Sequence, residues 1–238
     1  MMDLSIRSNE LELMDDPNMP FELLQAAYID INKCNNLLGG ESITLDAVMG
    51  LVKEGSKKSY TILDMGCGDG TMLRKLSKHL SKYGVSHSMI GIDLRDDVLC
   101  IAKEKSSEYP NISFKKEDIL KADSSLSCDI LINTLTMHHF DEHRIDAFLK
   151  KFVSLAKVGV VINDLQRSKI AYMLFKVFGF FFIKTEVAKY DGLVSISKGF
   201  RRGELIALSK KIPSVTHIIR WKWAFRYVWV MKFNRHKN

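Results

Sequence analysis

From residue 60 to residue 166, short apolar runs alternate with stretches of helical period. "YTIL" precedes "TMLRKLSKHLSKY", "SMIGIDL" precedes "DDVLCIAKEKSSEY", and "ISFKKEDI" and "CDILINTL" precede "DEHRIDAFLKKFVSLAK" and "VGVVINDL". Strands and helices that take turns in this way predict an α/β fold with a parallel sheet and crossover helices. Upstream, "FELLQAAYIDINKCNNLL" and "SITLDAVMGLVKE" carry apolar residues at helical spacing, separated by Gly39 and Gly40, so the first fifty residues read as helices. Downstream, "FRRGELIALSKKI" reads as a helix, and "VTHIIRWKW" and "FRYVWVMKF" alternate with period two, as strands that close the sheet. The rhythm breaks between residues 167 and 200, where an apolar helix and an irregular stretch, "KTEVAKYDGLVSISKGF", interrupt it. One domain over 1–238 is expected, divided into a helical cap (1–43), a core (44–166), a lid insertion (167–200) and a C-terminal helix with strands (201–238). With 238 residues, 46% of them hydrophobic, the chain can bury one sizeable core.

The formal charge of +7 suggests an anionic partner, but the lysines and arginines are dispersed and decide little. The cysteines, Cys34, Cys67, Cys100 and Cys128, form no C-x-x-C pair, which fits a reducing compartment and makes the cytoplasm the expected location. The N-terminus is too acidic and polar for a signal or transit peptide. The one candidate membrane segment, "IAYMLFKVFGFFFI", would reach roughly 21 Å as a helix, short of a bilayer's roughly 30 Å, and Lys176 interrupts it; no transmembrane segment is expected.

Chemistry concentrates in "TILDMGCGDG", residues 61–70, where a strand runs into glycines at every second position. In an open α/β sheet, ligands bind beyond the C-terminal strand ends, at this kind of turn. A phosphate-gripping loop needs Gly-Lys-Ser/Thr, and Thr71 and Met72 follow Gly70 instead. The dinucleotide fingerprint G-x-G-x-x-G wants glycine at position 71, where Thr71 stands. What remains is D-x-G-x-G-x-G: Asp64 can take a charged amine, while Gly66 and Gly68 let backbone pack against a nucleoside. Two further acids follow at successive strand ends. Asp93 lies about 20 residues on, where a carboxylate accepts from ribose hydroxyls, and Asp118 can accept from an exocyclic amine. The competing reading of each residue is a turn glycine or a helix cap.

"LDMGCGDG", "GIDL" and "KEDI" resemble the first three motifs of the class I S-adenosylmethionine-dependent methyltransferases. The resemblance implies a Rossmann-like, doubly wound sheet of seven strands with the last antiparallel. It further implies S-adenosylmethionine as cofactor and S-adenosylhomocysteine as product. The turn Asp64–Gly70, with Gly66, Cys67 and Gly68, would hold the methionine part; Asp93 with Leu94 the ribose; and Asp118 with Ile119 the adenine. "LINTLTMHHF" is similar to the fourth strand and loop of members that methylate small molecules, where the residue matching Asn133 lies beside the cofactor. "ELMDD" and "NNLLGG" look like the cap of a bacterial subgroup acting on phenolic or polyketide acceptors.

Methyl transfer is an in-line displacement, so the protein chiefly positions the nucleophile and excludes water. A phenol acceptor profits from a neutral base near pH 7, and His139 and His138 follow the fourth strand on the cleft side. The alternative is that one of them caps the next helix or packs in the loop. His138, His139, Asp141 and His143 are too crowded for the usual ligand spacing, and no metal is expected. Asp164, at the end of the fifth strand, either orients substrate or caps a helix. Ile170, Met173, Leu174, Val177 and Phe178, with Phe180 to Phe182, suit a small apolar aromatic acceptor; core packing or a homodimer contact explains the same pattern. The basic, aromatic tail reads as alternating strands and not as a nucleic-acid surface. The expectation is therefore O-methylation of an apolar phenolic acceptor in secondary metabolism. Carbon methylation of a quinone precursor, RNA methylation or a noncatalytic cofactor-binding module are the alternatives.

Overall fold

The computed structural model describes residues 3–55 and 57–233. Strands β1 (Ser59–Met65), β2 (Ser86–Asp93), β3 (Ile112–Lys116), β4 (Cys128–Thr134), β5 (Ala156–Leu165), β6 (Val215–Lys222) and β7 (Arg226–Phe233) form one seven-stranded sheet in the order β3-β2-β1-β4-β5-β7-β6. β1 to β5 run parallel, and β7 runs antiparallel to both β5 and β6. The helices are α1 (Phe21–Leu37), α2 (Gly40–Glu54), α3 (Thr71–Lys82), α4 (Asp96–Lys105), α5 (Glu142–Leu155), α6 (Lys169–Phe182), α7 (Glu186–Lys198) and α8 (Arg202–Lys210). This is the expected doubly wound α/β fold. Strand order reverses at β1, which lies between β2 and β4, and a crevice opens there beyond the C-terminal strand ends.

Strand residues alternate between the two faces, so each face acquires its own core. Leu63, Met65 and Leu131 pack with Phe148, Phe152 and Trp229 on one side. Ile62, Ile130 and Ile132 pack with Leu73, Leu76 and Leu80 of α3 on the other. The buried Trp229 indole is satisfied by donating to His217 Nδ1 at 3.1 Å.

One expectation changes. The stretch after residue 184, read as irregular, is the helix α7, capped by Thr185, whose side chain accepts from Ala188 N–H. It escapes notice because it is gripped on several sides and has no single apolar stripe. The Phe175 ring of α6 lies where a Cβ on Gly192 would sit, 2.2 Å from Phe175 Cζ, and buried Asp191 accepts from Leu13 and Met14 N–H at 2.7 and 2.9 Å. Residues 1–43 and 167–200 touch through Asp30 of α1, which accepts from Lys184 and Thr185 N–H at 2.9 and 2.7 Å. α2 packs on β5 and β7. Residues 1–2 and 234–238 of the outer segments lie outside the described residues.

Phe148 sits between Phe140 and Phe152, with ring centroids 4.2 and 4.1 Å away, and is fully buried. Phe148→Ala should therefore lower unfolding free energy by about 3 to 5 kcal/mol in urea titrations. Ile170→Ala, at an exposed position, should change it by under about 0.5 kcal/mol.

Candidate active site

Where β1 ends, Gly66, Gly68 and Gly70 take φ of 83°, 52° and 74°, the left-handed region that glycine enters freely. Space demands glycine as well: a Cβ at Gly66 would lie 2.5 Å from Thr136 Oγ1, and one at Gly68 would lie 3.0 Å from the Tyr28 ring. The turn is tied to β2, because Gly66 and Cys67 N–H donate to Ile92 O at 2.9 and 3.0 Å and Asp93 Oδ2 accepts from Gly68 N–H at 2.9 Å. Asp69 is committed to structure, accepting from Asn32 and Lys105 at 3.0 Å each. Asp64 is the exception: its side chain is buried and its Oδ1 has no partner. Burial, and then the nearby Asp93 carboxylate, push its pKa up to about 8.

A cavity of about 890 Å³ lies over this turn. Asp64, Gly66, Cys67, Gly68, Asp93, Leu94 and Ile119 are on its wall, as are His138 and His139. Two expected residues are not. Asp118 lies in the turn past β3, where its carboxylate accepts from Leu120 N–H at 2.9 Å. Asn133 is fully buried and donates to Met65 O, bracing β4 against the end of β1. Leu135, directly after β4, holds a left-handed φ of 56° on the cavity wall, a strained position of the kind that clusters at ligand sites.

Across the cavity the histidines belong to a network of charges. His138 donates from Nδ1 to Asp164 Oδ1 at 2.7 Å, and the same carboxylate accepts from His138 N–H at 3.0 Å. Its Nε2 lies 3.5 Å from Glu12 Oε1. Burial alone would lower the His138 pKa, but Asp164 and Glu12 outweigh it and raise the value to about 9. Glu12 is held anionic, near 2, because His138, His139 and Lys198 overcome the opposing effect of its burial. His139 is more open, with Nε2 3.6 Å from Glu12 Oε2 and Nδ1 3.2 Å from Asp15 Oδ2. Arg7 locks the loop by donating to the carbonyls of His138 and Phe140 at 2.9 and 2.8 Å. Glu12, His138 and His139 offer ligand atoms within 4.8 Å of one another. Lys198 Nζ stands 3.5 Å from Glu12 Oε1, so a lysine cation already lies beside this group.

Sequence reasoning missed Glu12, Tyr28 and Arg226, all on the cavity wall. Nothing local marks them, because their partners are set by tertiary contacts. Asp164, expected from the sequence to orient substrate or cap a helix, holds His138 through its carboxylate.

The fold is the α/β, Rossmann-like one shared by solved methyltransferase structures. More particularly, residues 62–159 match the family model described as a methyltransferase domain. Among curated proteins, the chain is similar to malonyl-[acyl-carrier protein] O-methyltransferase 1 of Ilyobacter polytropus, 25% identical over 146 residues, which cover 61% of this chain and 49% of that protein. The chain spans about half the length of the curated relatives it matches. Among solved structures, the plantazolicin methyltransferase BpumL in complex with S-adenosylhomocysteine superposes with a TM-score of 0.65 at 15% identity, over 90% of this chain and 95% of that one. Magnesium protoporphyrin IX methyltransferase from Synechocystis, also with S-adenosylhomocysteine bound, gives 0.57 at 16% identity over 82% and 84%.

The His138 pKa fixes the sign of a pH effect. Because the folded value lies above the ordinary 6.5, the stability this charge confers is complete below 6.5 and is lost as pH rises through about 9. Unfolding midpoints in urea should therefore fall between pH 6.5 and 9. In Asp164→Asn that slope should flatten, and the histidine proton resonances should titrate at lower pH.

Proposed function

We propose that this chain transfers a methyl group from S-adenosylmethionine to an oxygen of a small, largely apolar aromatic acceptor. The observation that carries the reading is the buried, unpartnered Asp64 oxygen beside a glycine turn whose backbone is bare to the cavity. A carboxylate pushed up to about 8 by burial is waiting for a cation, and the α-ammonium of an amino-acid tail satisfies it. Gly66 and Gly68 admit the thioether-bearing chain, Asp93 accepts from ribose hydroxyls, and Leu94 and Ile119 flank the base. Asp118, turned to its own loop, is left out of this set. The cofactor supplies an electrophilic methyl on a sulfonium.

The chain's own part is to bind, orient and keep water away. The acceptor end of the cavity is walled by Leu174, Phe175, Val177 and Phe178 of α6, which supports an apolar acceptor and a covering role for the α6–α7 segment. His139 is the proposed base. It lies on the wall with part of its ring open, its nitrogens 3.6 Å from Glu12 Oε2 and 3.2 Å from Asp15 Oδ2. His138, already protonated near pH 7, is a positioning residue that holds Glu12 and the loop. With the cofactor held by Asp64, Gly66, Gly68 and Asp93 and supplying the methyl group, His139 Nε2 would accept the hydroxyl proton of the acceptor oxygen.

Three measurements bear on this. Incubation with labelled S-adenosylmethionine and an extract of the source cells, followed by mass analysis, should give a labelled small molecule; label found only in RNA or nowhere overturns the reading. Calorimetry should show S-adenosylhomocysteine binding that tightens from pH 6 to 8 as Asp64 gives up its proton, and Asp64→Asn should bind weakly with that slope gone. Free protein should lose stability across the same window, since a raised carboxylate pKa means the folded state holds the extra proton between 3.8 and about 8. His139→Ala should lower kcat by roughly 10²- to 10⁴-fold with cofactor affinity nearly unchanged.

A further inference from the structure

The cavity wall carries a charge that the methyl-transfer reading does not use. Arg226 opens β7 at the acceptor end and is only 4% exposed. Its Nε and Nη1 are buried and make no hydrogen bond. Of the carboxylates that act on it electrostatically, Asp164 holds His138 and Glu41 Oε2 is taken by Lys75 and Asn36, while Glu41 Oε1 is buried without a hydrogen-bond partner and forms no ion pair with the guanidinium. No carboxylate among the described residues forms an ion pair with Arg226. A buried guanidinium without an acceptor is costly, and proteins rarely keep one unless something arrives to pair with it.

The surroundings are shaped for that guanidinium. It lies against Gly40, the first residue of α2, where a Cβ would come 2.6 Å from Arg226 Cζ and 2.1 Å from Asn35 Oδ1, so only glycine leaves room. The N-terminus of α2 has no side-chain cap, because the residue before it is Gly39. The positive end of a fifteen-residue helix and a buried cation therefore meet at one spot on the wall. Both repel a second cation and favour a negative oxygen. Asn35 Oδ1, also unpartnered and buried, adds an acceptor for a hydrogen bond from a hydroxyl beside that oxygen.

We propose that Arg226 is the anchor for an oxyanion on the methyl acceptor, so that the acceptor enters as an organic anion: a charged carboxylate, enolate or phenolate head on Arg226 and an apolar body against α6. The inference rests on the acceptor reading above and narrows it from an apolar molecule to an amphiphilic acid. A neutral aromatic of the same shape leaves the guanidinium unpaired and binds poorly, because the site's buried polar group is then unsatisfied. Arg226 is thereby a specificity-determining residue, distinct from the proton-accepting His139 on the opposite loop.

The test uses the full chain and two probes of matched shape, 4-pentylbenzoate and 4-pentylbenzamide, at pH 7. Calorimetry without cofactor should give the benzoate at least roughly tenfold tighter binding. In Arg226→Met the preference should vanish through loss of benzoate affinity, and the thermal midpoint of the free variant should stay level or rise, because an unpaired buried charge has been removed. Arg226→Lys, which keeps the charge without the fork, should retain part of the preference and serves if the Met variant does not fold. Equal affinity of the two probes for the natural protein overturns the proposal, and so does a preference that survives in Arg226→Met. S-adenosylhomocysteine binding, measured separately, should be unchanged in both variants. Its absence from the natural protein would sink the methyl-transfer reading, while the benzoate-to-benzamide ratio would still decide the role of Arg226.

Discussion

Everything at the cavity depends on the way the chain leaves β1. Three left-handed glycines turn the backbone out of the sheet, and Asp93 at the end of the neighbouring strand catches the turn through Gly68 N–H. That bond makes β1 and β2 one rigid edge, and α3 launches from it. A side chain at position 66 or 68 would collide with Thr136 or Tyr28 and would also force an unfavourable φ, so the two constraints reinforce each other. Asp64 remains buried and unpaired because the fold around it is fixed by these other contacts and can carry the cost of one desolvated carboxylate.

The opposite wall is built from distant parts of the chain. Glu12 comes from the N-terminal segment, His138 and His139 from the loop after β4, Asp164 from the end of β5 and Lys198 from the end of α7. Each charge is buried or half-buried, and each is tolerable only because the next one is present. The N-terminal segment is thus part of the site itself: Asp191 and Arg7 fasten it to α7 and to the histidine loop.

The sheet was legible because its information is local and periodic. Alternation of strand and helix, the Gly66–Gly70 turn and the two closing strands all follow from spacing that a single chain displays. The strand-end positions of Asp64 and Asp93 are legible for the same reason. Asp118 falls past the strand end expected for it: β3 ends at Lys116, and the carboxylate accepts from Leu120 N–H. α7 was missed because burial on several sides erases the stripe that marks a helix. Glu12, Tyr28 and Arg226 could not be read at all. Their significance lies in what they touch or fail to touch, and the contacts join segments distant in the chain, Tyr28 with Gly68, Glu12 with His138 and Arg226 with Gly40.

α6 turns part of its apolar surface the wrong way for a water-soluble helix. Ile170, Met173, Val177 and Phe180 are 63%, 61%, 58% and 76% exposed, on one stripe at helical spacing. Water bounding such a stripe releases free energy whenever another apolar surface covers it, and that release grows on warming and with excluded salts such as sulfate. The molecule therefore has a sticky side. Its tendency to adsorb to plastic, to resins and to its own copies strengthens in warm, sulfate-rich buffer and slackens in the cold, for reasons unrelated to the chemistry inside.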